Sequence, residues 1–135
     1  MHRPNEVHMD RNVEILWDMT LVTDRAVGAN RPDIVIRDKL QKKAFIIDIS
    51  CPNDVNVLNK ENEKISKYSA LRVELSKMWD CECVVIPVVV GSLGCISHNF
   101  SNYLRMIPAE LSHTMCVKIT LLGSERIMQS FLSRK

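Results

Sequence analysis

The segment VEILWDMTL, residues 13–21, has an apolar side chain at every odd position: Val13, Ile15, Trp17, Met19 and Leu21. Mostly polar residues fill the even positions, and this period of two predicts a half-buried strand. TDRAVGANRP then reads as a loop punctuated by Gly28, Asn30 and Pro32. The next stretch, RPDIVIRDKLQKKAFIIDIS, is residues 31–50. Two strand-like runs there flank DKLQKK, a connection of ordinary hairpin length. A symmetric antiparallel register sets residue 34 opposite 47, 36 opposite 45, and Asp33 opposite Asp48. One face then carries Ile34, Ile36, Phe45 and Ile47. The other carries Asp33, Val35, Ile46 and Asp48, with Ser50 further along. A slip of one residue would send one aspartate to the opposite face.

CPNDVNV predicts a turn, and a single helix is expected from Val57 to Trp79. Its apolar stripe of Ile65, Tyr68, Leu71, Leu75 and Met78/Trp79 advances in steps of three and four. CVVIPVVV, from Cys83, is apolar throughout, as in a strand covered on both faces. Pro87 within it predicts a bulge or an edge position. GSLG reads as a turn, HNFSNYLRMIP as a short helix and HTMCVKITLLGSERIMQSFL as a second helix. Strands first, then a helix, a strand and two helices make an α/β domain, with a mixed central sheet flanked by helices.

A length of 135 residues suits one domain, 1–135, and 46% apolar content suffices for a core. The net charge of +2 says little about partners, so any basic surface must arise from local clustering. No run is long enough to span a membrane, and MHRPNEVHMD is too polar for a secretory leader. The five cysteines, Cys51, Cys81, Cys83, Cys95 and Cys116, are odd in number and mostly sit beside apolar residues. Reduced thiols in an intracellular setting are therefore expected. Cys95 and His98 offer half a zinc site, with no second half at a suitable spacing.

Chemistry enters with the two aspartates. Carboxylates directly across an antiparallel pair repel, and partial burial adds to the cost. A divalent cation reverses that sign, and Mg²⁺ accepts a site of one or two carboxylates completed by water and phosphate. Around the helix at 100° per residue, Lys64 falls between Leu71 and Leu75, in the middle of the buried stripe. A lysine there needs a negative partner or a route to water, and Asp33, Asp48 or a bound phosphate would supply the partner. Blander readings of the same residues stay open. Asp33 after proline also suits a turn, Asp48 also suits a strand end, and Lys60, Lys64 and Lys67 also suit a solvated helix start. Tyr68 and Trp79 read as core.

Beyond these features, the chain resembles the C-terminal restriction-like endonuclease domain of early-branching non-LTR retrotransposons, which nick DNA and prime reverse transcription from the nick. The resemblance runs through ILWDMTLVTDR, NRPDIVIRDK, IIDISCP.D, EKISKY..L..E...MW, VVIPVVVGSLG and VKITLLGSERI, in that order. It implies a PD-(D/E)XK restriction-endonuclease-like fold, with a nuclease-like core over 13–108 and a C-terminal helical extension over 109–135. The superfamily motif implies that Asp33 and Asp48 hold the metal, Mg²⁺ with Mn²⁺ as a substitute. It also implies a catalytic lysine two residues after the second acid, where this chain has Ser50. In this branch the lysine is taken to lie on the following helix, which makes Lys64 the first candidate and Lys67 the second.

The expected activity is metal-dependent hydrolysis of a DNA phosphodiester. Arg25, Arg31, Lys42, Lys43, Lys60 and Lys67 would contact the backbone, giving salt-sensitive affinity with little sequence choice. Expected partners are target duplex DNA and the reverse transcriptase and zinc-binding parts of a parent polyprotein, which makes this chain an isolated domain or a remnant. No membrane partner is expected, a homodimer is compatible, and the resemblance implies the nucleus. Two other functions stay open: a catalytically inactive nucleic-acid-binding or dimerisation remnant, for which Ser50 speaks, and a structural module without a nucleic-acid role.

Overall fold

The computed structural model describes residues 7–9, 12–52, 56–91 and 95–107. Its strands are β1 (Val7–Met9), β2 (Val13–Trp17), β3 (Ile34–Asp38), β4 (Lys43–Ser50) and β5 (Glu82–Val89). The helices are α1 (Val57–Lys67), α2 (Ser69–Trp79) and α3 (Phe100–Met106). The strands form one sheet in the order β1-β2-β3-β4-β5. The first four pair antiparallel in sequence. β5 returns beside β4 after the two longer helices. The Glu82 amide donates to the Lys42 carbonyl at one end, and the Val90 amide to the Ser50 carbonyl at the other. Bonds advancing together along both strands mean that β4 and β5 run parallel. The protein is thus α/β with a mixed sheet, and Pro87 sits in the last strand of the described order, where a missing donor is tolerated.

The β3–β4 hairpin has the anticipated register, with Ile34 opposite Ile47, Val35 opposite Ile46 and Ile36 opposite Phe45. Its strands run further than the apolar pattern indicates, so the connection shortens to Lys39–Lys42. The Asp38 carboxylate closes this turn by accepting the Leu40 and Gln41 amides. Lys42 completes it in the left-handed region at φ 54°.

Two other expectations are corrected. β2 stops at Trp17 rather than Leu21, because Asp18 leaves the strand at φ 49°. Its buried residue is Leu16, opposite Val35, while Ile15 and Trp17, opposite the fully buried Ile36 and Ile34, are half-buried. The single helix is two, separated at Tyr68. Neither proline nor glycine lies there; instead the Ser69 hydroxyl donates to the Ser66 carbonyl, a back-bond of the kind that bends helices. Hydrogen bonds from Tyr68 N–H to Lys64 and from Arg72 N–H to Tyr68 carry the ladder across the break. The second C-terminal helix and the 109–135 extension lie outside the described residues.

The chain forms two compact units. The first holds the described residues up to Asp48 together with Lys64–Ile86. In it Leu16, Val35, Ala44, Ile46, Cys83 and Val85 pack with Tyr68, Leu71 and Leu75. Leu71 and Leu75 are fully buried, each contributing roughly 1.5–3 kcal/mol of transfer free energy. Asp80 ends α2 in the left-handed conformation at φ 50°. The second unit holds Ile49–Glu63 and the described residues from Pro87 onward. Asn56 caps α1 by accepting the Asn59 amide, and Phe100 and Leu104 are the buried residues of α3. Among the described residues no helix is long and apolar enough to cross a membrane.

Candidate functional site

Asp48 occupies the core-facing row of β4, continuing Ala44 and Ile46. Its side chain is only 8% exposed, an expensive place for a carboxylate unless it is compensated. Compensation comes from the helices. Lys64 brings its Nζ to 2.8 Å from Asp48 Oδ2, with 22% of the lysine side chain still open to water. From the helix break, the Tyr68 hydroxyl donates to Asp48 Oδ1 at 3.3 Å. One carboxylate oxygen therefore meets an ammonium and the other a phenol. Lys64 and Tyr68 reach the same acid because they stand four residues apart, on one face of the helical segment.

Asp33 lies one position beyond the Ile34–Ile47 pair, which places it across from Asp48 in the continuing register. The loop before it is pinned. The Asp18 amide donates to the Asp33 carbonyl at 2.8 Å, and the Leu21 amide donates to the Asn30 carbonyl at 2.8 Å. The Asp18 carboxylate also receives Arg31 through Nε at 3.1 Å and a second nitrogen at 3.4 Å. Tyr68 registers both acids. Burial raises its phenol above the usual range, the charge of Asp48 and the hydrogen bond to it push further, and the charge of Asp33 adds to them. The hydroxyl therefore stays protonated and remains a donor.

The candidate lysines and arginines are not gathered at one place. Lys67 is exposed, with its Nζ 5.2 Å from the centroid of the Tyr68 ring, beside Asp48's phenol partner. Lys60 pairs with Glu63 at 3.3 Å and Arg31 pairs with Asp18. Arg25 is exposed in the loop after β2. Lys42 and Lys43 sit at the hairpin tip, with Lys42 4.0 Å from Asp80. The length of β4 separates that tip from Asp48 by roughly 17 Å. The Ser50 hydroxyl is buried and has no hydrogen-bond partner among the described residues.

A metal would find two aspartates here; no group of three or more His, Cys, Asp or Glu side chains is poised to share an ion among the described residues. Two hard oxygen donors of net negative charge fit Mg²⁺, which keeps water and substrate oxygens in its remaining positions. Each Asp48 oxygen retains a lone pair beyond its present partner. Among the thiols, Cys83 is buried and pushed up to about 12 by that burial, whereas Cys95 is exposed.

Sequence reasoning missed two participants. Tyr68 belongs to the apolar stripe and is 2% exposed, as expected, yet it also holds the acid. A tyrosine where phenylalanine would pack equally well was the available signal, since a buried hydroxyl usually finds a partner. Asp18 left no comparable trace, because its left-handed backbone is visible only in the fold. No protein-family model, no curated protein and no solved structure matches the chain.

Proposed function

We propose that this chain is a metal-dependent DNA endonuclease domain of the PD-(D/E)XK type, acting as the nicking module of a non-LTR retrotransposon. The observation that carries the reading is the contact of Lys64 Nζ with Asp48 Oδ2 at 2.8 Å. A helix lysine supplies at the second acid the positive charge that Ser50 lacks. Asp33 and Asp48 would hold Mg²⁺ or Mn²⁺, which lowers the pKa of a bound water and offsets charge gathering on the phosphate. Lys64 is anchored at the carboxylate with part of its length in water, so its ammonium can hold a phosphate oxygen or orient the attacking water. Hydrolysis forms a P–O bond to that water and breaks one ester P–O bond, leaving a phosphate on one end of the nick and a hydroxyl on the other.

The exposed Lys67, beside the Tyr68 ring, is the first candidate for a backbone contact, and Arg25 and Lys60 are further candidates. Arg31 would have to leave Asp18 to serve, and Lys42 and Lys43 would touch DNA well away from the scissile bond. Partners on this reading are the DNA duplex and the reverse transcriptase and zinc-binding parts of a parent polyprotein, with the nucleus as the place of action. Incubation of supercoiled plasmid with the protein and Mg²⁺ or Mn²⁺ tests it. Nicking is expected, dependent on the metal and lost in Asp48→Ala. Salt-sensitive binding without nicking would replace the enzyme by an inactive DNA-binding remnant, and neither activity would leave a structural module.

A further inference from the structure

We infer that Tyr68 is a positioning residue for this site, through two different parts of one side chain; the inference rests on the nuclease reading above. The hydroxyl donates to Asp48 Oδ1 at 3.3 Å while Lys64 holds Oδ2 at 2.8 Å. With both oxygens engaged, the carboxylate cannot rotate freely, and its remaining lone pairs point in set directions. The Tyr68 backbone occupies the α1–α2 break at φ −100° and ψ 11°, and its ring packs among Leu71, Leu75 and Ile46. A rigid core therefore holds the hydroxyl against the acid. The ring face does separate work: Lys67 Nζ lies 5.2 Å from its centroid. A cation held over an aromatic face spends less of its time elsewhere, so Lys67 is presented beside the acids as a phosphate contact. Tyr68 thus couples the catalytic carboxylate to the adjoining DNA-binding lysine.

The two roles separate by substitution. Tyr68→Phe keeps the ring and removes the hydroxyl, whereas Tyr68→Leu removes both. Outer contacts of this kind typically change metal affinity or activity by about 10–100-fold. For Tyr68→Phe the expected results are a nicking rate reduced by about tenfold, a higher Mg²⁺ midpoint, and unchanged DNA affinity. Tyr68→Leu should add weaker DNA binding, with the salt dependence reduced by about one unit of slope. Circular dichroism and thermal melts monitor the fold of both variants. A Tb³⁺ titration supplies a readout apart from activity. Emission sensitised through Tyr68 should fall in Tyr68→Phe, and the Tb³⁺ midpoint should rise.

Each outcome decides something. If the wild type nicks and Tyr68→Phe nicks at the same rate with the same Mg²⁺ midpoint, the positioning role is overturned and the nuclease stands. A wild type that binds Tb³⁺ without nicking sinks the nuclease, and the midpoint difference between the two proteins then decides the role of Tyr68. A wild type that neither nicks nor binds Tb³⁺ overturns both.

Discussion

Asp48 and Glu61 are both buried carboxylates, yet they are satisfied in opposite ways. Glu61, in the second unit, is fully buried and meets neutral partners, the Ser97 hydroxyl and the Asn99 amide at 3.3 Å. Its charge also helps to raise the Tyr103 phenol, after burial. These contacts tie α1 to the turn that starts α3, and both oxygens are used within a closed set of hydrogen bonds. Asp48, in the first unit, is opposed by the full charge of Lys64, which keeps a path to water. An enclosed acid bound by neutral donors is suited to holding backbone. An acid near the end of a strand, paired with a cation that is partly open to water and facing a second acid in the register, is suited to exchanging partners. Burial alone does not distinguish the two; the charge of the partner and its access to water do.

That contrast can be broken most severely at the acids themselves. Asp48→Ala should abolish plasmid nicking at a smaller cost in melting temperature than Glu61→Ala, because the freed Lys64 can extend into water and only the Tyr68 hydroxyl loses a buried partner. Glu61→Ala should have the larger effect on stability. It opens a cavity and leaves the Ser97 and Asn99 groups unpaired, at a cost of about 2–4 kcal/mol in denaturant unfolding. Glu61→Gln, which keeps the shape, should recover much of it. Equal destabilisation by the two alanines would erase the distinction.

Next in size is Lys64→Ala, with nicking expected to fall by about 10²–10³-fold. Lys67→Ala should reduce DNA affinity and its salt dependence instead, leaving turnover at saturating DNA largely intact. The opposite pattern in single-turnover assays would transfer the catalytic role to Lys67.

The smallest effect is a pH dependence. The folded phenol of Tyr68 lies above its ordinary value of 10.0, so its contribution is complete below that pH. Above pH 10 the unfolded phenol ionises while the folded one does not, and stability falls as pH rises. The stability advantage of the wild type over Tyr68→Phe should therefore be constant below pH 10 and shrink above it. Parallel curves throughout would mean that the phenol is not held at the acid.

Much of this site was legible before the fold. Alternation in β3 and β4 set the hairpin register, and the register put both aspartates on the face of Val35 and Ile46. The helical stripe picked out Lys64 because a charged residue stood where an apolar one was due. Lys60 and Lys67 were less clear, since an exposed helix start and a binding surface share one composition. The partner of Lys64 could not be chosen between Asp33, Asp48 and a phosphate, because that depends on how the helix sits on the sheet.

Periodicity is a local property, written by the alternation of the strand and the turn of the helix. It determined the α/β class, the hairpin pairing, the buried stripe and the misplaced lysine. Tertiary structure decided the rest: the break at Tyr68, the burial of Leu16 rather than its odd-numbered neighbours, the clasp of Asp18 on the Asp33 loop, and the choice of Asp48 for Lys64. Those outcomes depend on distances between segments remote in the chain, and only the packing of one element against another sets such distances.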